Sequence, residues 1–259
     1  MATQTTTVVD GVKTPIMSLK HISKYFGGVQ ALDGVDMDIC RGEVIVLVGD
    51  NGAGKSTFLK VISGVNIPEQ GEIYFDGKAV TISNTLDSVE LGIQTVYQDL
   101  ALCDNLDIVQ NLFLGRELTR HGRLNEADME HIAQECLNEL GIEIQSVRAK
   151  AGALSGGQRQ AVAIARAMLG SPDIVLLDEP LANLGLKQRQ QVCKLIMGLR
   201  EKNVGVVVVS HDLAEVFPVC DKVVVFRLGE KVAEIERADI TTERVVAEIT
   251  GSNSFLEEE

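Results

Sequence analysis

Paired cysteines, basic clusters and long apolar runs are all missing from this chain. The five Cys, at positions 40, 103, 136, 193 and 220, form no CxxC pair and are odd in number. That pattern points to neither a zinc site nor a disulfide framework. A reducing compartment fits best, with the thiols acting as small buried hydrophobes. Lys and Arg total 24 against 37 Asp and Glu, and no basic run is longer than two. A net charge of −13 repels nucleic acid and anionic lipid, so no nucleic-acid partner is expected. The longest apolar runs, such as Val204 to Val209, are strand-sized. A spanning helix needs about 20 apolar residues, so membrane association has to go through a protein partner. The opening MATQTTTVVDGVKTP lacks the charged and apolar regions of a secretory leader. It reads as a polar tail over residues 1–15, and residues 251–259 read as an acidic tail.

What remains is the composition of a globular protein, 45% hydrophobic and 24% charged over 259 residues. Three zones differ in texture. Residues 16–98 are strand-rich, with β-like runs at Ser18–Phe26, Gly34–Cys40, Glu43–Val48, Glu72–Phe75 and Ile93–Tyr97. Residues 99–170 read helical; from Glu126 to Leu140 the apolar residues follow helical spacing, with Asn125 as N-cap and Gly141 as the stop. Residues 171–235 alternate: strand Ile174–Leu177, helix Lys187–Glu201, strand Val204–Val209, a short helix, and strand Lys222–Phe226. Near-continuous Val/Ile/Leu runs suit parallel strands buried on both faces. The expectation is an α/β domain over 16–250, its core (16–98 and 171–235) split by a helical insertion.

Three motifs carry chemistry. Gly49 to Thr57, GDNGAGKST, matches G-x-x-x-x-G-K-[ST] and lies between an apolar strand and a helix, the context a P-loop requires. Glycines let successive N–H groups of Gly49, Asp50, Asn51, Gly52, Ala53 and Gly54 turn toward phosphate oxygens. The helix N-terminus adds positive potential. Lys55 reaches for the β/γ-phosphates, Ser56 for Mg²⁺, and Thr57 follows the motif. In IVLLDEP, a buried strand carries Asp178 to the sheet edge as a metal ligand, and Glu179 follows as general base. In LSGGQRQ, Ser155 and Gln158 have capping-box spacing. Gly156 and Gly157 weaken a helix by about 1 kcal/mol each, which makes sense where a phosphate must approach closely.

The order of P-loop, Gln98 in TVYQD, LSGGQ, IVLLDEP and His211 in VVVVSHD resembles the nucleotide-binding subunit of ABC transporters over residues 16–250. The resemblance implies the ABC-type P-loop fold: a mixed sheet core, an N-terminal antiparallel β part and an inserted helical subdomain. It also implies that two subunits face head to tail as an ATP-bound homodimer. By this resemblance, Phe26 stacks on adenine, with Tyr25 as the alternative. Gln98 contacts Mg²⁺ and the attacking water. Ser155, Gly156, Gly157 and Gln158 clamp the γ-phosphate across the dimer. Glu179 polarises water, and His211 holds the γ-phosphate and Glu179. Many relatives carry an Asp where Gly185 stands, which puts the coupling between sites in question, with Asn183 as the alternative donor.

The stretches ISKYFGGVQALDGVDM and YQDLALCDNLDIVQNLFLGRE resemble the monosaccharide-importing branch. That branch implies MgATP, two permease subunits, an extracytoplasmic sugar-binding protein, and a peripheral position on the cytoplasmic face of the membrane. Segment 99–117 is expected to receive the permease. Few residues follow the last strand, so no regulatory domain of the maltose-importer kind is expected. A branched-chain amino-acid importer ATPase is the alternative within transport, and a soluble non-transport ABC ATPase the alternative outside it. Long coiled coils, a second module and a guanine-reading NKxD motif do not occur.

Overall fold

The computed structural model describes residues 8–9, 12–211 and 216–252, with side chains from Thr14 onward. Its strands are β1 (Val8–Val9), β2 (Val12–Lys13), β3 (Pro15–Phe26), β4 (Val29–Cys40), β5 (Val44–Val48), β6 (Gln70–Phe75), β7 (Lys78–Val80), β8 (Ile93–Val96), β9 (Thr119–Arg120), β10 (Arg123–Leu124), β11 (Ile174–Asp178), β12 (Gly205–Val209), β13 (Lys222–Arg227) and β14 (Glu230–Glu236). The helices are α1 (Lys55–Ile62), α2 (Thr85–Glu90), α3 (Ile108–Phe113), α4 (Glu126–Glu139), α5 (Gly156–Met168), α6 (Leu186–Glu201) and α7 (Thr242–Thr250).

Two sheets organise the molecule. The larger runs β14-β13-β5-β12-β11-β8. Its pairs from β13 through β8 are parallel and β14 is antiparallel. The smaller sheet, β4-β3-β6-β7, is antiparallel throughout. The expected division into an α/β core and an antiparallel N-terminal part is therefore present.

All five residues of β5 are buried, and strand periodicity divides them between two cores. Val44, Val46 and Val48 pack with α3 to α6, whereas Ile45 and Leu47 face α1 and the smaller sheet. A strand buried on both faces reads as an unbroken apolar run, the signature seen in the sequence. Phe58 of α1 meets Phe226 of β13 with ring centroids 5.4 Å apart, which seats α1 on the sheet.

Several boundaries differ from the sequence expectation. β3 begins at Pro15 and β4 at Val29, because their pairing continues past bulges that break the alternation. The 99–170 zone holds α3, α4 and α5 together with the small β9–β10 hairpin. β1, β2, β7, β14, α2 and α7 go beyond the sequence expectation, with β1 and β2 inside the residues read as a polar tail. α4 starts and stops as expected: the Asn125 side chain accepts from the Asp128 N–H, and Gly141 has φ 64°. The short helix expected between β12 and β13 involves residues 212–215, which lie outside the described residues.

Candidate active site

Parallel strands deliver their carboxyl ends to one edge, and here that edge gathers the motifs. β5 runs into the Gly49–Gly54 loop, its neighbour β12 ends just before His211, and the next strand, β11, ends in Asp178 and Glu179. β8, beside β11, leads to Gln98. Neighbouring strands lie about 4.8 Å apart, so residues far apart in sequence become adjacent without any special loop.

The glycine loop needs its glycines for two separate reasons. Gly49 (φ 140°) and Gly54 (φ 105°) sit against backbone; an added Cβ would lie 2.1 Å from the Phe226 carbonyl oxygen and 2.7 Å from that of Ala31. Gly52 (φ 84°) faces open space and requires glycine for its dihedral alone. Lys55 opens α1 and is almost fully buried. Its Nζ donates to the Gly49 and Asp50 carbonyls at 2.7 and 2.8 Å, so the loop curls round the ammonium. Burial lowers the Lys55 pKa, against the upward pull of Glu179, Asp50 and Asp178.

Asp178 is a carboxylate that its surroundings hold toward the neutral form. Burial raises its pKa, and the neighbouring Glu179 charge raises it further; Lys60, the Ser56 hydroxyl and Lys55 pull the other way. Its Oδ1 is buried without a hydrogen-bond partner. An orphaned carboxylate oxygen beside a serine hydroxyl is a donor set that suits a hard divalent cation. Residues Ser56 and Asp178 thus fit Mg²⁺, with Gln98 exposed at the next strand end.

Glu179 adopts φ 50°, an unusual conformation for a side-chain-bearing residue. The Glu179 N–H donates to the Val209 carbonyl at 3.0 Å, which ties it to the strand that precedes His211. Glu179 Oε1 and His211 Nδ1 are 3.5 Å apart. Gln98, Glu179, Ala182, Asn183, Ser210 and His211 line a cleft of about 400 Å³. A carboxylate held beside an imidazole at an open cleft can accept a proton from water.

Phe26 is 49% exposed at the end of β3, with Lys24 Nζ 5.4 Å from its ring centroid. A core aromatic would be buried, so its free face is available for stacking. Ser155 caps α5: its N–H donates to Gln158 Oε1 at 3.0 Å, and its Oγ accepts from the Gln158 N–H at 3.3 Å. Ser155 and Gly156 are exposed, whereas Gly157 is buried. An added Cβ at Gly157 would lie 2.9 Å from Gln188 Cβ, so packing against α6 already demands glycine there. The sequence offered only phosphate approach as the reason. Gly185 has φ −73° and needs no glycine conformation. In segment 99–117, Leu112 and Phe113 are core, Leu100 and Leu102 are half-buried, and Leu114 is exposed.

A glycine loop wrapped round a lysine at a helix start, facing a carboxylate pair across one intervening strand, defines a P-loop nucleotide hydrolase. Comparison with known proteins narrows the class. The ABC transporter family profile matches residues 32–182. The chain is 40% identical to the xylose/arabinose import ATP-binding protein of Sulfolobus acidocaldarius over 91% of this chain and 94% of that one. It is 41% identical to the fructose import ATP-binding protein of Rhizobium meliloti, over 92% and 95% respectively. Among solved structures, MJ1267, an ATP-binding cassette of an ABC transporter, superposes with a TM-score of 0.81 at 28% identity, covering 91% of this chain and 98% of that one. The chain belongs to the ABC transporter family, as one of its ATP-hydrolysing subunits.

Proposed function

We propose that this chain powers a monosaccharide importer, binding MgATP between two copies of itself. The observation that carries the reading is the near-full-length match to two single-module sugar-import ATP-binding proteins, at 94% and 95% of their lengths. A solved relative is described as a dimeric post-hydrolysis cassette bound to ADP and phosphate, which supports the two-copy arrangement. In this reading the amides of Gly49 to Gly54 and Lys55 hold the phosphates, and Thr57 follows in the first helical turn. Phe26 offers its exposed face to the base. Ser56, Asp178 and Gln98 hold Mg²⁺, which when bound neutralises charge on the phosphates. Glu179 accepts the proton of the attacking water, and His211 keeps that carboxylate in place. Ser155, Gly156 and Gln158 of the second copy close over the γ-phosphate, and Gly157 supports their turn from within. Two permease subunits and an extracytoplasmic sugar-binding protein complete the assembly, with this chain peripheral on the cytoplasmic face.

Reconstitution of the chain with its permeases in vesicles tests the reading. ATP-driven uptake of labelled xylose, arabinose, fructose or ribose is the expected result. Uptake of branched-chain amino acids alone, or ATPase activity that no permease stimulates, refutes it.

A further inference from the structure

Gly185 leaves the loop after Glu179 without the side chain that would cap α6. The structure supplies the cap from Gln188 instead. The Gly185 N–H donates to Gln188 Oε1 at 3.1 Å, and the Gln188 N–H donates back to the Gly185 carbonyl at 2.9 Å. The stem of the same side chain fills the space above Gly157, 2.9 to 3.0 Å from where a Cβ would stand. One residue earlier, Gly156 packs on Leu184, its Cβ position 3.1 Å from Leu184 Cδ2. Arg189 Nε then donates to the Leu184 carbonyl at 2.8 Å and fixes the loop from the helix side. The Ser155–Gln158 turn therefore rests on segment 184–188, and Gln188 touches both it and the loop that begins at Glu179.

We propose that Gln188 is a positioning residue that couples the two nucleotide sites of the dimer. It ties the turn that meets the partner's nucleotide to the loop that carries this copy's Glu179. The proposal rests on the two-copy reading given above. Closure of Ser155 and Gly156 on one nucleotide pushes on Leu184 and Gln188, and the Gly185 hydrogen bond passes that displacement into the loop. The coupling is reciprocal, because linkage requires each site to shift the other equally. Neither contact reaches a nucleotide, so binding to a single copy does not depend on Gln188.

The test compares Gln188→Met and Gln188→Glu in the purified full chain. Met keeps the stem against Gly157 and a good helix propensity but lacks the acceptor for the Gly185 N–H. Glu keeps both. Measured are the Hill coefficient and kcat of hydrolysis against MgATP concentration, ADP affinity and melting temperature. With two sites, wild-type cooperativity lies between one and two. The Met variant should fall to a Hill coefficient of one, with kcat lowered about five-fold, the equivalent of one neutral hydrogen bond. ADP affinity should not change, and the Glu variant should retain the wild-type coefficient. If Gln188→Met keeps wild-type cooperativity and kcat, the coupling role is wrong while the two-copy site stands. If the wild-type chain itself hydrolyses ATP without cooperativity, both fall.

Discussion

Substituting alanine along the glycine loop separates steric need from dihedral need. At Gly52 a methyl group enters open space, so the cost is the left-handed dihedral alone, about 1 to 2 kcal/mol. At Gly49 the dihedral is a different glycine-favouring one, φ 140°, and its strain is joined by a Cβ placed 2.1 Å from the Phe226 carbonyl oxygen and 3.3 Å from Ala53 Cβ. That oxygen belongs to β13, which is paired in register with β5, so it cannot swing away as a side-chain end could. Relief requires shifting β13 or the loop, an overpacking cost of about 1 to 3 kcal/mol on top of the strain. Gly49→Ala should therefore lose roughly 2 to 5 kcal/mol, a large share of the 5 to 15 kcal/mol typical of a domain. The chain has no Trp, so urea unfolding followed by far-UV circular dichroism is the suitable assay. ATP affinity should fall in the same order, with Gly49→Ala the weaker binder. Equal unfolding midpoints for the two variants, at equal slopes, would refute the steric argument.

Lys55→Ala removes two charge-assisted hydrogen bonds to the loop and the cation for the phosphates; at about 1.5 to 3 kcal/mol for such a bond, MgATP affinity should drop roughly ten- to hundred-fold and turnover should vanish, as calorimetry and a phosphate-release assay can show. Asp178→Asn removes a carboxylate whose pKa burial has raised. In chelator the ionised wild type carries a penalty, so the variant should be the more stable of the two above the raised pKa, and the gap should close as pH falls through it; thermal melts across pH, with Mg²⁺ omitted, decide this. Glu179→Gln should abolish hydrolysis and trap a dimer in MgATP that dissociates in ADP, measured by light scattering; a variant that stays monomeric at saturating MgATP counts against the two-copy site. In segment 99–117, Leu114→Asp should spare the ATPase and stop transport, since Leu114 is 49% exposed, whereas Leu112→Asp should prevent folding, since Leu112 is fully buried. Transport that survives charged substitutions at the exposed members across the whole segment would place the permease contact elsewhere.

The parts of the site legible in the sequence are those encoded by local signals. The P-loop, the strand ending in Asp178, and the Ser155–Gln158 box each announce themselves within seven to nine residues, because each is a strand end or a helix start with a defined backbone need. The helices α2 and α7 do carry end signals in the sequence. Thr241 caps α7, and Gly251 ends it at φ 74°. Asn84 caps α2. Both helices are short, at six and nine residues, so periodicity has too few turns to register. What no sequence window contains is pairing between distant segments. Gly157 requires glycine because Gln188, on another helix, occupies its Cβ position. Gly49 requires it because of Phe226. The Glu179 amide bond to Val209 likewise exists only because β11 and β12 are neighbours.

The same geometry explains why a single copy is an incomplete enzyme in the reading proposed. Gln98 and Phe26 are exposed, and the His211 side chain is 62% exposed while facing Glu179. Water with free access weakens the electrostatic help that a hydrolytic site depends on. A second surface has to cover the cleft, and each copy carries a net charge of −13. Those charges repel, screened beyond about 8 Å at physiological salt. The exposed start of α5, at Ser155 and Gly156, has a helix N-terminus suited to a phosphate. Association through that turn is favourable only while a γ-phosphate stands between the copies. In that reading, loss of the phosphate on hydrolysis removes the attraction and leaves the repulsion, so each turnover would separate the pair and reset the subunit for the next stroke.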